Sequence, residues 1–105
     1  MNKKRSEEKH ALRRLKERYG LELTLDDLET MIKRIRQPEH HRHKGKAVFV
    51  GKESGARSRF FVWHRDVWFP VIYNKNTGTI TTVLPKGAFG LEPWPIQKPI
   101  QKVGT

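Results

Sequence analysis

The sequence predicts an α+β domain in which two N-terminal helices pack on a four-stranded antiparallel sheet, because its hydrophobic periodicity changes along the chain. In the first third, apolar residues recur every three or four positions, as they do in amphipathic helices. Four later runs rich in valine, isoleucine, threonine and aromatic residues are separated by short turn-like stretches. A chain of 105 residues suffices for one modest core, so a single domain is expected.

The first helix is expected to begin near Ser6 and to end at about Tyr19. A serine hydroxyl can cap the first turn, and the two glutamates that follow it suit the positive end of the helix dipole. Gly20 suits the left-handed conformation that often follows the last helical turn.

The second helix is expected over residues 25–36, where leucine, methionine and isoleucine recur at helical spacing. Thr24 is its expected N-cap, and Asp27, three residues later, makes a variant of the capping box. Pro38 ends the helix, and residues 37–45 ("QPEHHRHKG") are expected to form a polar loop.

The strands are expected at "KAVFV", "SRFFVWH", "VWFPVIY" and "TITTVL", which are residues 46–50, 58–64, 67–73 and 79–84. The first and last gaps between them contain glycine, and the middle gap is short enough for a tight hairpin. Pro70 must either lie at a bulge or direct its missing N–H away from the neighbouring strand. In the last strand, strict alternation places Ile80 and Thr82 on one face and Val83 on the other.

Residues 1–86 are assigned to the α+β domain, and residues 87–105 to a Pro-rich C-terminal arm. Four prolines from Pro85 to Pro99 favour an irregular, polyproline-like segment over a helix or a strand. Its apolar side chains would attach it to the domain or to a partner.

The net charge of +11 at pH 7 indicates a polyanionic partner. RNA or a ribosome is the first interpretation and an acidic protein is the alternative, while a charge that serves only solubility is the third. The chain has no cysteine, which excludes disulfides and thiolate chemistry. No apolar run is long enough to span a membrane and no secretory signal is visible, so a cytoplasmic protein without membrane contact is expected.

His10, Arg14 and Arg18 follow one another at intervals of four residues, which places them in a column on the first helix. Histidine can take or give a proton near neutral pH, and arginine can hold a phosphate through two hydrogen bonds. Arg13 and Lys16 are expected to point elsewhere. By spacing alone the column is more typical of a solvated surface, but these residue types are also those that metal-free RNA cleavage requires.

The loop sequence "EHHRHK" (residues 39–44) has three histidines in four positions but only one carboxylate and no cysteine. Structural zinc sites use four regularly spaced ligands, so a loop that contacts phosphates is favoured over a metal site. No metal and no cofactor are expected. The candidates for nucleic-acid binding in and beside this loop are His41, Arg42, Lys44 and Lys46.

Basic and aromatic residues are neighbours in the strands, as in the pair Arg59 and Phe60 or the run from Trp63 to Arg65. Such a mixture can stack unpaired bases and hold phosphates. Because neighbours in a strand point to opposite faces, at least half of the aromatic residues are expected in the core.

The stretch "VIYNKNTGTITTVLP" (residues 71–85) resembles the last two strands of small phage and bacterial proteins of the RelE, barnase and colicin ribonuclease superfamily. The shared pattern is an apolar strand ending in tyrosine, a polar turn, and a strand Ile-x-Thr-Val-Leu-Pro. The helices also match that family, at His10, Arg14, Arg18, Tyr19, Gly20, Leu23, Thr24 and Asp27. The likeness covers roughly residues 8–86 and includes the order of helices and strands.

The resemblance implies a RelE-like fold and a metal-independent endoribonuclease of toxin-like type, encoded by a phage or mobile element, that cleaves RNA by attack of a 2′-OH. It implies that His10 is the acid or base or contacts the 2′-OH, that Arg14 or Arg18 holds the phosphate, and that Thr82 orients it. Further RNA contacts are expected from Tyr73 and Arg59. The protein would act in the cytoplasm of the host.

The alternative is a non-catalytic host-takeover protein on the same fold, which binds RNA, the ribosome or an acidic host protein. An antitoxin partner follows only by analogy of fold. A DNA-binding regulator fits less well, because neither the helices nor the sheet carry a known recognition motif. The nuclease interpretation depends on whether His10 and Thr82 line the same cleft.

Overall fold

A computed structural model describes residues 3–36 and 46–90. Its helices are α1 (Lys3–Tyr19) and α2 (Leu25–Arg36), and its strands are β1 (Ala47–Ser54), β2 (Arg57–His64), β3 (Val67–Asn74) and β4 (Thr79–Val83). The strands form one antiparallel sheet in the order β1-β2-β3-β4. The predicted α+β class with a four-stranded meander is confirmed. The loop at 37–45 and the arm from residue 91 onward lie outside the described residues.

Two element boundaries were predicted wrongly. Helix α1 already includes Lys3, so Ser6 lies within the helix and does not start it. Lysine and arginine are good helix formers, which is consistent with helical residues 3–5. Strand β1 continues to Ser54, because register shifts after Phe49 and after Lys52 absorb residues that had been read as a turn.

Helix α1 packs along the edge strand β4. Ala11 and Leu15 are fully buried there. The Tyr19 hydroxyl donates a hydrogen bond to the Leu84 carbonyl at 2.7 Å, and the Tyr19 ring meets Phe69 edge-on at 4.9 Å. These contacts hold the helix against the strand and bring its N-terminal half alongside β4.

Helix α2 is held at its start by the predicted capping box. The Thr24 N–H donates to Asp27 at 2.9 Å, and the Asp27 N–H donates to the Thr24 hydroxyl at 3.2 Å. Asp27 also accepts a hydrogen bond from Nε2 of His64 at 2.9 Å, which joins α2 to the end of β2. The helix buries an apolar face made by Leu28, Met31, Ile32 and Ile35.

The predicted tight hairpin joins β2 to β3 through Arg65 and Asp66, whose φ angles are 51° and 65°. Two successive left-handed residues match a two-residue turn of type I′, although neither residue is the glycine that this conformation favours. Arg65 donates a hydrogen bond to Asp27 at 3.2 Å, a contact outside the turn that stabilises this conformation.

Pro70 lies in the central strand β3 and pairs with Phe61 of β2 without a break in register. Its carbonyl accepts a hydrogen bond from the Leu84 N–H at 2.8 Å, on the β4 side. The nitrogen and the carbonyl of one strand residue point to the same side, so the Pro70 nitrogen points away from β2. The predicted bulge is therefore absent from the pairing with β2, which loses no hydrogen bond to Pro70.

The pairing of β3 with β4, in contrast, contains a β-bulge, which lies in β4. Ile72 pairs with Thr82 while Tyr73 pairs with Ile80, so Thr81 is an extra residue in the ladder. Ile80 and Val83 are both fully buried in the core beneath the helices. The prediction that these two residues lie on opposite faces is therefore wrong, because the bulge resets the alternation between them.

Candidate functional site

A cleft of about 500 Å³ lies beside α1 and β4. Helix α1 lines it with Ser6, Glu7, Lys9, His10 and Arg13. Strand β4 contributes Thr81 and Thr82, and Arg57 enters from the start of β2. The helical residues recur at intervals of three and four, so they share one side of α1. Both threonines reach the cleft where a regular strand would direct them to opposite faces, which follows from the bulge at Thr81.

The two residues on which the nuclease interpretation depends, His10 and Thr82, line this same cleft. His10 is partly buried. Partial burial lowers its pKa from the ordinary 6.5, and the positive charges of Arg14, Arg13 and Arg18 lower it further. Glu17 opposes this shift. A lowered pKa favours the uncharged imidazole, which has a nitrogen lone pair that can accept a proton.

Arg14 and Arg18, the predicted phosphate-binding pair, do not line the cleft. Arg14 donates to Glu17 at 2.5 Å, and Arg18 donates to the Val83 carbonyl at 2.8 Å. Four residues of α-helix turn by about 40° more than a full circle. Residues at this spacing therefore shift gradually around the helix, and Arg14 and Arg18 face progressively further from the cleft than His10 does.

Arg13, which was expected to point elsewhere, lines the cleft in their place, together with Lys9 and Arg57. None of these three cations has an ion pair within residues 3–36 and 46–90. The carboxylate that lines the cleft with them belongs to Glu7. The cleft therefore has an excess of positive charge that suits a phosphodiester.

Glu7 is 8% exposed and is held from across the fold. The Thr77 hydroxyl donates to one of its carboxylate oxygens at 2.7 Å, and the Asn74 amide donates to the other at 3.3 Å. These bonds join the start of α1 to the β3–β4 turn. They fix the helical side of the cleft relative to the sheet, three residues before His10.

Sequence reasoning missed Glu7, Lys9, Arg13 and Arg57 as cleft residues. A signal existed for Arg13, which follows His10 by three residues and so is its neighbour on the helix as much as Arg14 is. Arg57 gave no such signal, because it reaches the cleft from a strand that is not adjacent to β4.

Three other predicted RNA contacts, Tyr73, Arg59 and Lys46, do not line the cleft. Tyr73 packs edge-on against Phe60 with ring centres 6.2 Å apart, and Arg59 forms an ion pair with Glu53 at 2.7 Å. Lys46 precedes β1, and its carbonyl accepts a hydrogen bond from Trp63. His41, Arg42 and Lys44 lie outside the described residues.

Among residues 3–36 and 46–90, no group of three or more histidine, aspartate or glutamate side chains is arranged to hold a metal ion. Neither described helix is long and apolar enough to cross a membrane. Comparisons with protein-family models, curated proteins and solved structures found no significant match. The resemblance to the ribonuclease superfamily therefore stays a prediction, and the functional argument rests on the cleft.

Proposed function

We propose that this protein is a metal-independent endoribonuclease whose active site is the cleft beside α1 and β4. One observation supports this most strongly. A histidine whose pKa is lowered by burial and by nearby arginines, His10, shares the cleft with Thr82 and with three cations that have no described ion pair. Proton transfer and stabilisation of a crowded anionic phosphate are the two requirements of RNA cleavage by its own 2′-OH.

In the proposed reaction, His10 accepts the proton of the ribose 2′-OH while the 2′-oxygen bonds to phosphorus. The bond from phosphorus to the 5′-oxygen of the next nucleotide breaks, and solvent supplies the proton that this oxygen takes up. The products are a 2′,3′-cyclic phosphate and a free 5′-OH. Each bond formed is matched by one broken, so no redox partner or cofactor is required.

The negative charge that develops on the non-bridging phosphate oxygens is stabilised by the cations of the cleft. Arg13 and Arg57 can each offer a planar pair of N–H donors to phosphate oxygens, and Lys9 adds a point charge. The Thr82 hydroxyl donates to a non-bridging oxygen and so orients the phosphate. Arg14 and Arg18 act indirectly, because their charges help to keep His10 unprotonated.

The biological setting follows from the resemblance alone. We infer a RelE-like toxin encoded by a phage or mobile element, which acts on free or ribosome-bound RNA in the host cytoplasm. An acidic antitoxin would be its natural inhibitor, because a negatively charged segment could fill the cationic cleft.

The test is incubation of the purified protein with end-labelled RNA in EDTA, followed by analysis of the product ends. Cyclic-phosphate ends that disappear in His10→Ala and Arg13→Ala support the nuclease. Lys33→Ala is the matched control, since Lys33 is an exposed cation on α2 and does not line the cleft. RNA that stays intact with folded protein at every concentration would overturn the proposal.

A non-catalytic RNA-binding protein is the second candidate, and one observation favours it. The Glu7 carboxylate is occupied by both Thr77 and Asn74, which leaves His10 as the side chain suited to proton transfer among the described residues of the cleft. A binder would leave RNA intact and hold it with an affinity that falls steeply as salt concentration rises.

A further inference from the structure

A second depression, of about 430 Å³, adjoins the cleft on α1 and is lined by Lys9, Leu12 and Arg13. Lys9 and Arg13 also line the cleft, so these two cations form the wall between the two depressions. Leu12 is half-buried and packs against the core with part of its side chain. The second depression therefore has an apolar surface flanked by two positive charges.

We propose that this depression, the Leu12 subsite, binds an unpaired nucleobase whose adjacent phosphate lies in the cleft. The inference rests on the proposed function and names its substrate class as single-stranded RNA. A base carries a flat apolar face that can lie on the Leu12 side chain. A base can also stack on the planar guanidinium of Arg13, as bases stack on arginine in complexes with single-stranded RNA.

The charges favour a nucleotide over other apolar ligands. An apolar peptide side chain or a lipid chain would fill the Leu12 subsite without using Lys9 or Arg13. A nucleotide joins a base to a phosphate through one ribose, and so places an apolar face and a negative charge next to each other. That arrangement matches an apolar depression and a cationic cleft that share one wall.

A base can enter the Leu12 subsite only if it has left the stack of a duplex. Paired RNA presents its phosphates and 2′-hydroxyls and keeps its base faces covered. The protein should therefore prefer single strands, loops and bulges to continuous duplex.

The experiment measures binding of non-cleavable probes by fluorescence anisotropy. The probes are a single-stranded 2′-O-methyl oligonucleotide, its duplex, and an abasic oligomer of equal length and charge. The wild type should bind the base-bearing strand about tenfold or more tightly than the abasic oligomer, which corresponds to the stacking of one base. It should also bind the duplex more weakly than the single strand.

Variants then test whether the preference for base-bearing probes depends on Leu12. Leu12→Asn should abolish the difference between base-bearing and abasic probes, whereas Leu12→Met should keep it. Leu25→Asn is the control, because Leu25 is an exposed leucine at the start of α2, outside both depressions. If Leu12→Asn fails to fold, nuclear Overhauser contacts between wild-type Leu12 methyl groups and base protons test the same point.

Equal affinity of the wild type for base-bearing and abasic probes would overturn the Leu12 subsite. So would a base preference that survives in folded Leu12→Asn, or the absence of contacts between Leu12 and the bases. Base-dependent binding by a protein that never cleaves RNA supports the subsite and overturns the nuclease. Cleavage without any base preference supports the nuclease and overturns the subsite. Failure of one proposal can therefore be distinguished from failure of the other.

Discussion

A guanidinium nitrogen of Arg18 donates a hydrogen bond to the backbone carbonyl of Val83 at 2.8 Å. This bond ties the last turn of α1 to the end of β4, so Arg18 holds together the two elements that border the cleft. The arginine that resembles a phosphate ligand in the sequence is a structural contact between helix and strand. Arg13, three residues after His10, lines the cleft, where Arg18 had been expected.

Arg18→Ala is expected to act mainly on stability. Loss of one hydrogen bond from a charged donor at a partly exposed site should lower the free energy of unfolding by about 1 kcal/mol, measured in urea. Arg13→Ala should leave stability nearly unchanged and reduce cleavage by about 10²-fold, as removal of one transition-state donor does. A larger loss of maximal rate in Arg18→Ala than in Arg13→Ala would contradict these assignments.

Cleavage should depend on pH through His10. Its pKa lies below the ordinary 6.5, chiefly because of burial and then because of the nearby arginines. The reactive form is the unprotonated one, so kcat/KM should rise with pH through the lowered pKa and reach its plateau before neutrality. The pKa itself can be measured by NMR titration of the His10 ring proton.

Arg14→Gln tests the cause of that shift. Arg14 makes the largest charge contribution to the lowered pKa of His10, so its removal should raise this pKa. The rising limb of the pH–rate profile should move to higher pH while the plateau rate changes little. A limb that stays in place although NMR titration shows a raised His10 pKa would show that a group other than His10 controls the rate.

Asp27 should stabilise the protein in a pH-dependent way. Hydrogen bonds from the Thr24 N–H and from His64 hold the pKa of this carboxyl well below its ordinary value, and the Thr24 hydroxyl and the charge of Arg65 add to the effect. A depressed folded-state pKa gives stability that is present above the unfolded pKa and is lost as pH falls through the folded one. Burial of the carboxyl opposes the shift without reversing it.

Asp27→Asn should therefore lower the free energy of unfolding by about 1–2 kcal/mol at neutral pH. The difference from the wild type should shrink as the pH is lowered from about 5 towards about 2. Asp26→Asn is the matched control, because Asp26 is an exposed carboxylate in the same helical turn. Equal effects of the two substitutions would show that only the helix dipole is involved.

Thr79→Val should be neutral or stabilising, by up to about 1 kcal/mol. Thr79 is fully buried, and its hydroxyl oxygen has no hydrogen-bond partner among the residues that the structure describes. Valine has nearly the same shape and removes the cost of that unmade hydrogen bond. Thr81→Val is the comparison and should destabilise, because the Thr81 hydroxyl donates to the Ile72 carbonyl at 3.3 Å.

Local sequence signals predicted much of the fold but less of the cleft. The capping box of Thr24 and Asp27 involves residues three apart, and the hairpin at Arg65 needs only a short gap between two strands. Such features are decided by neighbours in the chain, so they can be predicted from it.

The cleft depends on contacts between distant residues. The bulge at Thr81, which brings Thr81 and Thr82 to the same cleft, breaks the alternation on which strand predictions depend. Glu7 is held by Asn74 and Thr77, which lie 67 and 70 residues further along the chain. His10 and Thr82 could be paired only through the family resemblance, and Arg57 could not be placed beside them at all.

The most direct test of the proposed activity is the initial rate of cyclic-phosphate formation by His10→Ala, measured in EDTA with and without added imidazole. If His10 accepts the 2′-OH proton, the rate should fall by about 10²-fold or more, and imidazole should restore part of it. A folded His10→Ala protein that cleaves RNA at the wild-type rate would contradict the proposed mechanism.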